Sequence, residues 1–591
     1  MGELKGAEII TEYLVREGVP YAVGLCGHGD LGLLDALHDR RADIATISVH
    51  HESVAGFIAD AYYRVRHAPL ATFTSCGPGS ANLPVALGSA LMDGSALLAI
   101  TGNVPTSQFN RGPFQETGRH YQADFPSVVR PYVKRGYQAT RADQLPLMLR
   151  QAFSTMLHGR PGPVHLDVPL DVFVERSTEP VPDPGAWRGG VSSRTAAHAD
   201  DVRRALEMLL AAERPVIVVG HGAENAGADR AVLGLAEALG VPVAASPLGR
   251  SALDNRHPLF LGTTGRNGTY HANHATRSAD VVLAFGTRFD DRATSSWLPG
   301  YTYDFDRTRL IHVDADVTEL GRNFPPALGL AADPASAAEQ LLAAARSSGD
   351  DRARPDTAVR RAWLDRIADW RRTWEAEIAG RDASDAAPLR PERVLGDLRR
   401  VLPDDGIVLS DVGVHHNWLV QNWEVRAPRT LLQSWGFASM GFGVAGGLGA
   451  RLAAPETPVV SVVGDGGFLM FPSVVATAVE YDLPCVWLVW NNGGYMSIRD
   501  QQRGYFGAGR ELATSFAPST DFAAMARSMG GDGIRVTRPG DLSGALESAL
   551  ASGRPTVLDV AVDDAVQPVA TATWDLPPLP HPEPGFGRPD A

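Results

Sequence analysis

The sequence predicts an α/β protein built from three doubly wound parallel-sheet domains, and three observations carry that expectation. The chain has 591 residues, too many for one core and suited to three or four domains. Short apolar strands alternate with segments of helical period, which is the signature of βαβ units. Two polar stretches, ERSTEPVPDPGAWRGGVSSRTAA and SSGDDRARPDTAVRR, interrupt the alternation and mark boundaries.

Residues 1–180 read as the first domain. An amphipathic helix in MGELKGAEIITEYLVREG precedes strands in YAVGLC, ATISV, LATFTS, ALLAITG and PVHLDVP. Residues 195–345 form the central domain, with strands in RPVIVVGHG, VPVAASP, ADVVLAFGTR and RLIHVDAD; the charged stretch after Ala344 continues as a helical pattern through Glu377. Residues 385–568 form the third, with strands in GIVLSDVG, TLLQSWG, PVVSVVGDG, PCVWLVWNN and PTVLDVAV. Residues 569–591 are a proline-rich tail, expected to lie extended on the surface or to be poorly ordered. The first and third domains match in size and class without a close sequence repeat.

Composition narrows the function. Hydrophobic residues at 44% and charged residues at 21% are ordinary for a soluble globular protein. A net charge of −14, with no Lys/Arg-rich block, argues against nucleic acid as a partner. No run approaches the eighteen or so apolar residues of a membrane span, and MGELKGAEIITEYLVREG lacks a basic n-region and an apolar h-region, so neither a membrane span nor an export signal is expected. Cys26, Cys76 and Cys485 are far apart, which is neither a disulfide framework nor a metal-ligand spacing; a cytoplasmic protein is expected.

The most specific motif lies in the third domain. An apolar strand runs into Gly464-Asp465-Gly466-Gly467, and the next apolar strand ends at Asn491-Asn492. Ligands of parallel sheets bind at the carboxyl ends of strands, so Asp465 and Asn492 are placed to act together. One carboxylate, one amide oxygen and a nearby backbone carbonyl, assigned to Gly494, make a hard oxygen set suited to Mg²⁺, which diphosphate oxygens and water would complete. The glycines let the backbone approach phosphate, and the following helix N-terminus favours its negative charge.

This motif resembles that of the thiamine-diphosphate enzymes. The resemblance implies a pyrimidine-binding first domain, a nucleotide-binding-like central domain and a diphosphate-binding third domain. It also implies a glutamate after the second strand of the first domain, where a carboxyl group bonds the aminopyrimidine and promotes loss of the thiazolium proton. ATISVHHESVAGFIADAYYRV supplies Glu52, although a Glu in a first helical turn is by itself ordinary helix-dipole electrostatics. His50 or His51 could face the cofactor. By position, Val412, Gly413, Val414 and His415 resemble the segment touching the diphosphate, and Met440 the bulky residue beneath the bent cofactor. Because the two thiamine-binding domains come from different subunits in this family, a homodimer or homotetramer with active sites at the subunit interface is implied.

Within the superfamily the chain is most similar to the acetolactate synthase catalytic subunit over roughly residues 5–565, through TGNVP, PFQET, RPGPVHLDVPLD, GTRFDDR and IHVDAD. That resemblance implies decarboxylation of a 2-keto acid and carboligation through a ylide and enamine, with an FAD across the middle domain. Gln115 resembles the glutamine near cofactor and substrate. Arg292 resembles the arginine beside FAD and the incoming keto acid; a guanidinium can bind both oxygens of a carboxylate, and its plainer reading is an ion pair with Asp290 or Asp291. Gly265 and Arg266 to Thr269 resemble a loop lining the FAD.

The chain also departs from the synthase pattern. Leu170 stands where the synthase has Lys; Gly494, Tyr495 and Ile498 replace its usual segment after Asn-Asn; Val414 replaces a Gln. Cys26-Gly27-His28 resembles instead the branch that hydrolyses cyclic 1,2-diketones, which makes His28 a candidate proton-handling residue. Cys26 has no base beside it and reads as a small apolar residue. A C–C hydrolase of a diketone is therefore the alternative activity. A catalytically silent regulatory subunit is the alternative of another class, set against the retention of Glu52, Asp465 and Asn492.

Overall fold

A computed structural model of the chain describes residues 2–116, 124–188, 194–349, 357–517, 519–577, 579 and 583–586. It contains three six-stranded parallel sheets, one per domain, flanked by helices. Every strand expected from the sequence is present. Central strands such as Leu98–Asn103 and Val281–Phe285 are buried along their whole length, as sheets covered by helices on both faces require.

Numbering strands within each domain, the first and third sheets have the same order, 2-1-3-4-6-5, and the central one has 3-2-1-4-5-6. The first and third domains are thus one topology with different sequences. Each order reverses direction beside its first strand, and the loops leaving the strands diverge at that point to open a crevice. In the third domain the crevice lies between Ile407–Ser410 and Val459–Gly464, in the first between Tyr21–Leu25 and Ala71–Thr74, and in the central one between Pro215–Val219 and Val281–Phe285.

The first and third domains pack together through the helices Glu52–Arg66 and Phe442–Ala453. The glycines of GFGVAGGLGA allow this approach: a Cβ on Gly449 would lie 2.1 Å from the carbonyl oxygen of Ile58, and one on Gly446 3.1 Å from the Ala61 methyl. Arg64 reaches across the seam. It pairs with Asp60 at 2.7 Å and Asp93 at 3.2 Å, and donates to the carbonyl of Gln433. Fully buried, the guanidinium is balanced by two carboxylates, the arrangement that burial of a charge demands.

Two expectations change. The helix Ala358–Ile378 packs on the central domain, beyond residue 345: Arg360 donates to the carbonyls of Leu209 and Ala212, and the Trp363 indole to that of Pro215. Its buried face of Trp363, Ile367 and Trp374 explains the docking. The tail is not a surface strand at its start. Thr571, Ala572 and Thr573 are buried, and the Thr571 N–H donates to the carbonyl of Arg266. Residues 587–591 lie outside the described residues.

Candidate active site

The crevice of the third domain holds a cavity of about 170 Å³ lined by Val412 to His416, Met440, Gly464 to Gly467, Asn492 and Gly494 to Ile498. The sequence separates these into four segments, and the strand order brings them to one place. Asp465 opens a short helix after its strand. One of its oxygens accepts from the N–H of Gly466 at 2.7 Å, the other from Gly493 at 2.7 Å and Gly494 at 2.9 Å. Burial pushes its carboxyl up to about 6, while those N–H groups favour the charged form.

The glycines here are sterically required. A Cβ on Gly467 would lie 2.1 Å from Asp411 Oδ2, and one on Gly466 2.4 Å from the Tyr495 ring. The Tyr495 ring in turn packs edge-on against Phe516. Asp411, not anticipated from the sequence, ends the strand beside Asp465. Its Oδ1 accepts from Gly441 at 2.8 Å and Gly443 at 3.1 Å, which fixes the turn after Met440, where Gly441 takes a φ of +98°. Burial pushes the Asp411 carboxyl up to about 7, and its Oδ2 has no hydrogen-bond partner among the described residues.

His415 is buried and neutral, pushed down to about 4 by desolvation, and its Nε2 also lacks a partner among the described residues. Buried polar atoms are normally satisfied. Unpartnered atoms at a glycine-lined strand-end crevice therefore fit a polyanionic group carried with a hard cation. Met440 lines this cavity rather than a closed core.

Glu52, His28 and Gln115 gather elsewhere, at the crevice of the first domain, and none of them lines the third-domain cavity of the same chain. Glu52 opens its helix in a buried position and accepts from Asn82 Nδ2 at 2.9 Å. His28 Nε2 lies 3.5 Å from the Sγ of Cys76, which the sequence did not single out as a partner. Asp30 accepts from the N–H of Gly27 at 2.9 Å, and burial pushes it up to about 6. Gln115 is exposed, with a φ of +65°, and its carbonyl lies so close over Gly77 that a Cβ there would be 1.6 Å from it. Both other histidines face the third domain: His51 caps its own helix and its ring lies 4.9 Å from that of Phe471, while His50 is 3.4 Å from Glu480.

Arg292 reaches the wall of the third-domain cavity. It does not pair with Asp290 or Asp291. The Asp290 carboxylate instead accepts from the N–H of Ala293 and that of Asp291 from the Trp574 indole. The guanidinium donates to Asn417 Oδ1 at 2.8 Å and lies 5.3 Å from the Trp435 ring and 4.9 Å from the Trp574 ring. Desolvation pushes it down to about 10, and its Nε has no partner among the described residues.

The central crevice holds a second cavity, of about 490 Å³, between the first and central domains. Gly222, Gly286, Arg160, Arg288 and Asp314 are among its lining residues. A Cβ on Gly220 would lie 2.1 Å from the carbonyl oxygen of Gly286, so this floor is bare backbone. Arginines over bare backbone, with a carboxylate at a strand end, fit the phosphates and ribose of a nucleotide. Gly265, Arg266 and Thr269 do not line that cavity, and the Arg266 and Gly268 carbonyls are already engaged by Thr571 of the tail.

These half-sites agree with what the chain is similar to. Residues 4–123, 202–341 and 411–560 match the N-terminal TPP binding, central and C-terminal TPP binding domains of the thiamine pyrophosphate enzymes, in that order. The fold and site thus define a thiamine-diphosphate-dependent enzyme. The chain is 33% identical to a probable acetolactate synthase large subunit of Methanocaldococcus jannaschii, over 95% of this chain and 92% of that protein. It is 32% identical to the acetolactate synthase isozyme 3 large subunit of Escherichia coli, over 95% and 96% respectively. A third similar protein, the acetolactate synthase large subunit of Haemophilus influenzae, is 30% identical over 96% of each chain. The chain belongs to the acetolactate synthase large-subunit family. Among the described residues, no helix is long and apolar enough to cross a membrane.

Proposed function

We propose that the chain decarboxylates a 2-keto acid and joins the remaining carbon fragment, which keeps the electron pair of the broken C–C bond, to a second carbonyl compound. The observation that carries this reading is Arg292: a desolvated guanidinium on the wall of the thiamine cavity, stacked between two indoles and without a carboxylate partner. Such a group is a receptor for the carboxylate of a keto acid.

In this reading Asp465, Asn492 and the Gly494 carbonyl hold Mg²⁺. Gly466, Gly467, Val412 to Val414 and His415 receive the diphosphate. Thiamine diphosphate, when bound, supplies the carbon nucleophile and electron sink that no side chain provides. Glu52 holds a proton at the pyrimidine nitrogen, and Met440 shapes the cavity floor. His28, beside Cys76, and Gln115 face the substrate from the first domain. Since Glu52 is absent from the lining of its own chain's diphosphate cavity, a homodimer or homotetramer supplies it from a second subunit. The central cavity takes the nucleotide half of FAD; flavin bands in the absorption spectrum of the purified protein test that assignment. A cytoplasmic location follows as an expectation from the sparse, unpaired cysteines.

Incubation with pyruvate, thiamine diphosphate and Mg²⁺, with CO₂ and products followed by mass, tests the reaction. Release of CO₂ with a condensed hydroxy-keto acid is expected. Cleavage of cyclohexane-1,2-dione without CO₂ release from any keto acid would overturn it.

A further inference from the structure

Arg292 is held by a segment with no strand, helix or recognised motif. From the third domain the chain runs back over the central one, and its contacts are specific. Gln421 Nε2 donates to the Val569 carbonyl at 2.7 Å; the Thr571 hydroxyl donates to the Gly268 carbonyl at 2.8 Å and accepts from Asn273 Nδ2 at 2.9 Å. The Asp575 N–H donates to the Ser296 hydroxyl at 2.7 Å. Between these anchors Trp574 donates its indole N–H to Asp291 at 2.8 Å and lays its ring 4.9 Å from the Arg292 guanidinium.

Two consequences follow from that single side chain. The hydrogen bond ties Asp291, the carboxylate nearest in sequence to Arg292, to the indole, and no direct ion pair joins Asp291 to the guanidinium, on which its charge acts only through space. The guanidinium lies over this ring and, at 5.3 Å, over a second indole, Trp435, and Asn417 fixes one terminal nitrogen. The backbone of Arg292 is fixed as well: its carbonyl accepts from Arg266 N–H at 3.3 Å and sits 2.3 Å from where a Gly265 Cβ would be. A guanidinium so oriented presents its unpartnered edge in one direction, and immobilising it before binding lowers the cost of binding a carboxylate.

We infer that Trp574, delivered by the buried segment 569–575, is a positioning residue that keeps Arg292 unpaired and oriented as the carboxylate receptor for the keto acid. The inference rests on the proposed keto-acid reaction for its kinetic consequence, and on geometry alone for the contact itself.

Three proteins test it: Trp574→Ala, Trp574→Phe, and a chain ending at Pro568, each compared with the wild type. The first readout is independent of activity. Phenylglyoxal modification of Arg292, followed by peptide mass mapping, should be several-fold faster in Trp574→Ala and in the shortened chain than in the wild type, and near the wild-type rate in Trp574→Phe. Unchanged labelling in Trp574→Ala would overturn the contact, whatever the substrate is.

The second readout is kinetic. Trp574→Ala should raise KM for the keto acid by roughly five- to thirty-fold, the range of a desolvated cation–π contact, with thiamine diphosphate affinity unchanged and Trp574→Phe, which keeps the ring but loses the N–H to Asp291, falling between Trp574→Ala and the wild type. Faster labelling with an unchanged KM would overturn the positioning role. So would a parallel loss of thiamine diphosphate binding, which marks a structural effect. A wild type that turns over no keto acid, yet shows the labelling pattern, would sink the functional reading and leave the contact standing.

Discussion

If the active site takes Glu52 from one subunit and Asp465 from another, two inactive variants should rescue each other. Glu52→Gln keeps the size of the side chain, and its amide oxygen can still accept from Asn82, now at 2.9 Å from the carboxylate. The fold should therefore survive, while loss of the carboxyl proton costs on the order of 10²- to 10⁴-fold in kcat. Asp465→Ala removes the carboxylate proposed to hold the metal and frees the N–H groups of Gly466, Gly493 and Gly494 that it now binds. Each homodimer is dead. In a mixed dimer one site combines both lesions, and the other combines intact Glu52 with intact Asp465. Random exchange makes about half the dimers mixed, each with one working site, so activity should return to about one quarter of wild type. The assay is CO₂ release after the two tagged variants are co-expressed and the doubly tagged species is isolated, where about half of wild-type activity is expected. Activity that stays at the level of the single variants would place both residues in one chain's site and refute the shared-site reasoning.

Three further outcomes follow from the same geometry. Gly467→Ala drives a methyl into Asp411 Oδ2, 2.1 Å away, so thiamine diphosphate affinity measured by fluorescence titration should fall at least tenfold; unchanged affinity would mean that this turn does not carry the cofactor. Removing Mg²⁺ with EDTA should abolish activity and the stabilisation that bound cofactor confers. At a hundredfold excess over Kd that stabilisation is about 2.7 kcal/mol, a Tm shift of several degrees read by calorimetry; a Tm indifferent to Mg²⁺ would count against the metal set. Asp411, raised from an ordinary 3.8 to about 7, binds its proton more tightly folded than unfolded. Its contribution to stability is present below pH 4 and is lost as pH rises to 7. Asp411→Asn, whose amide oxygen can still accept from Gly441 and Gly443, should remove that decline in the cofactor-free protein; thermal melts at pH 5 and pH 8 that run parallel in both proteins would contradict it.

The parts legible in the sequence share one physical origin. The buried central strands are continuous apolar runs, and strand-end residues such as Asp465 and Asn492 follow from them by the rule that ligands sit at carboxyl ends. Apart from the short antiparallel pair Leu4–Lys5 and Arg176–Ser177, the strands that escaped detection are Arg135–Gln138, Phe260–Thr263, Leu328–Ala331 and Asp532–Val536. All four lie at sheet edges, and each contains a glycine. An edge strand is paired on one side only and need not be uniformly apolar, so its composition does not distinguish it from a loop. The shared topology of the first and third domains was invisible for a related reason, because strand order is set by which crossovers pack, not by residue identity.

The site divides along the same line. Asp411 could have been found by the reasoning that found Asp465, since it too ends an apolar strand; Ser410 and Asp411 simply lack the flanking glycines that drew attention to the other loop. Trp574 could not. Its tail has the proline content of an exposed linker, and composition correctly excludes a helix or a strand there. It does not exclude burial, because a segment with no regular structure can still be held if its backbone groups find partners one by one, as Val569, Thr571 and Asp575 do. The residual sequence signal is a single large aromatic among prolines. That the indole lands against Arg292, a residue nearly three hundred positions earlier in the chain, follows from where the third domain releases its last strand over the central one.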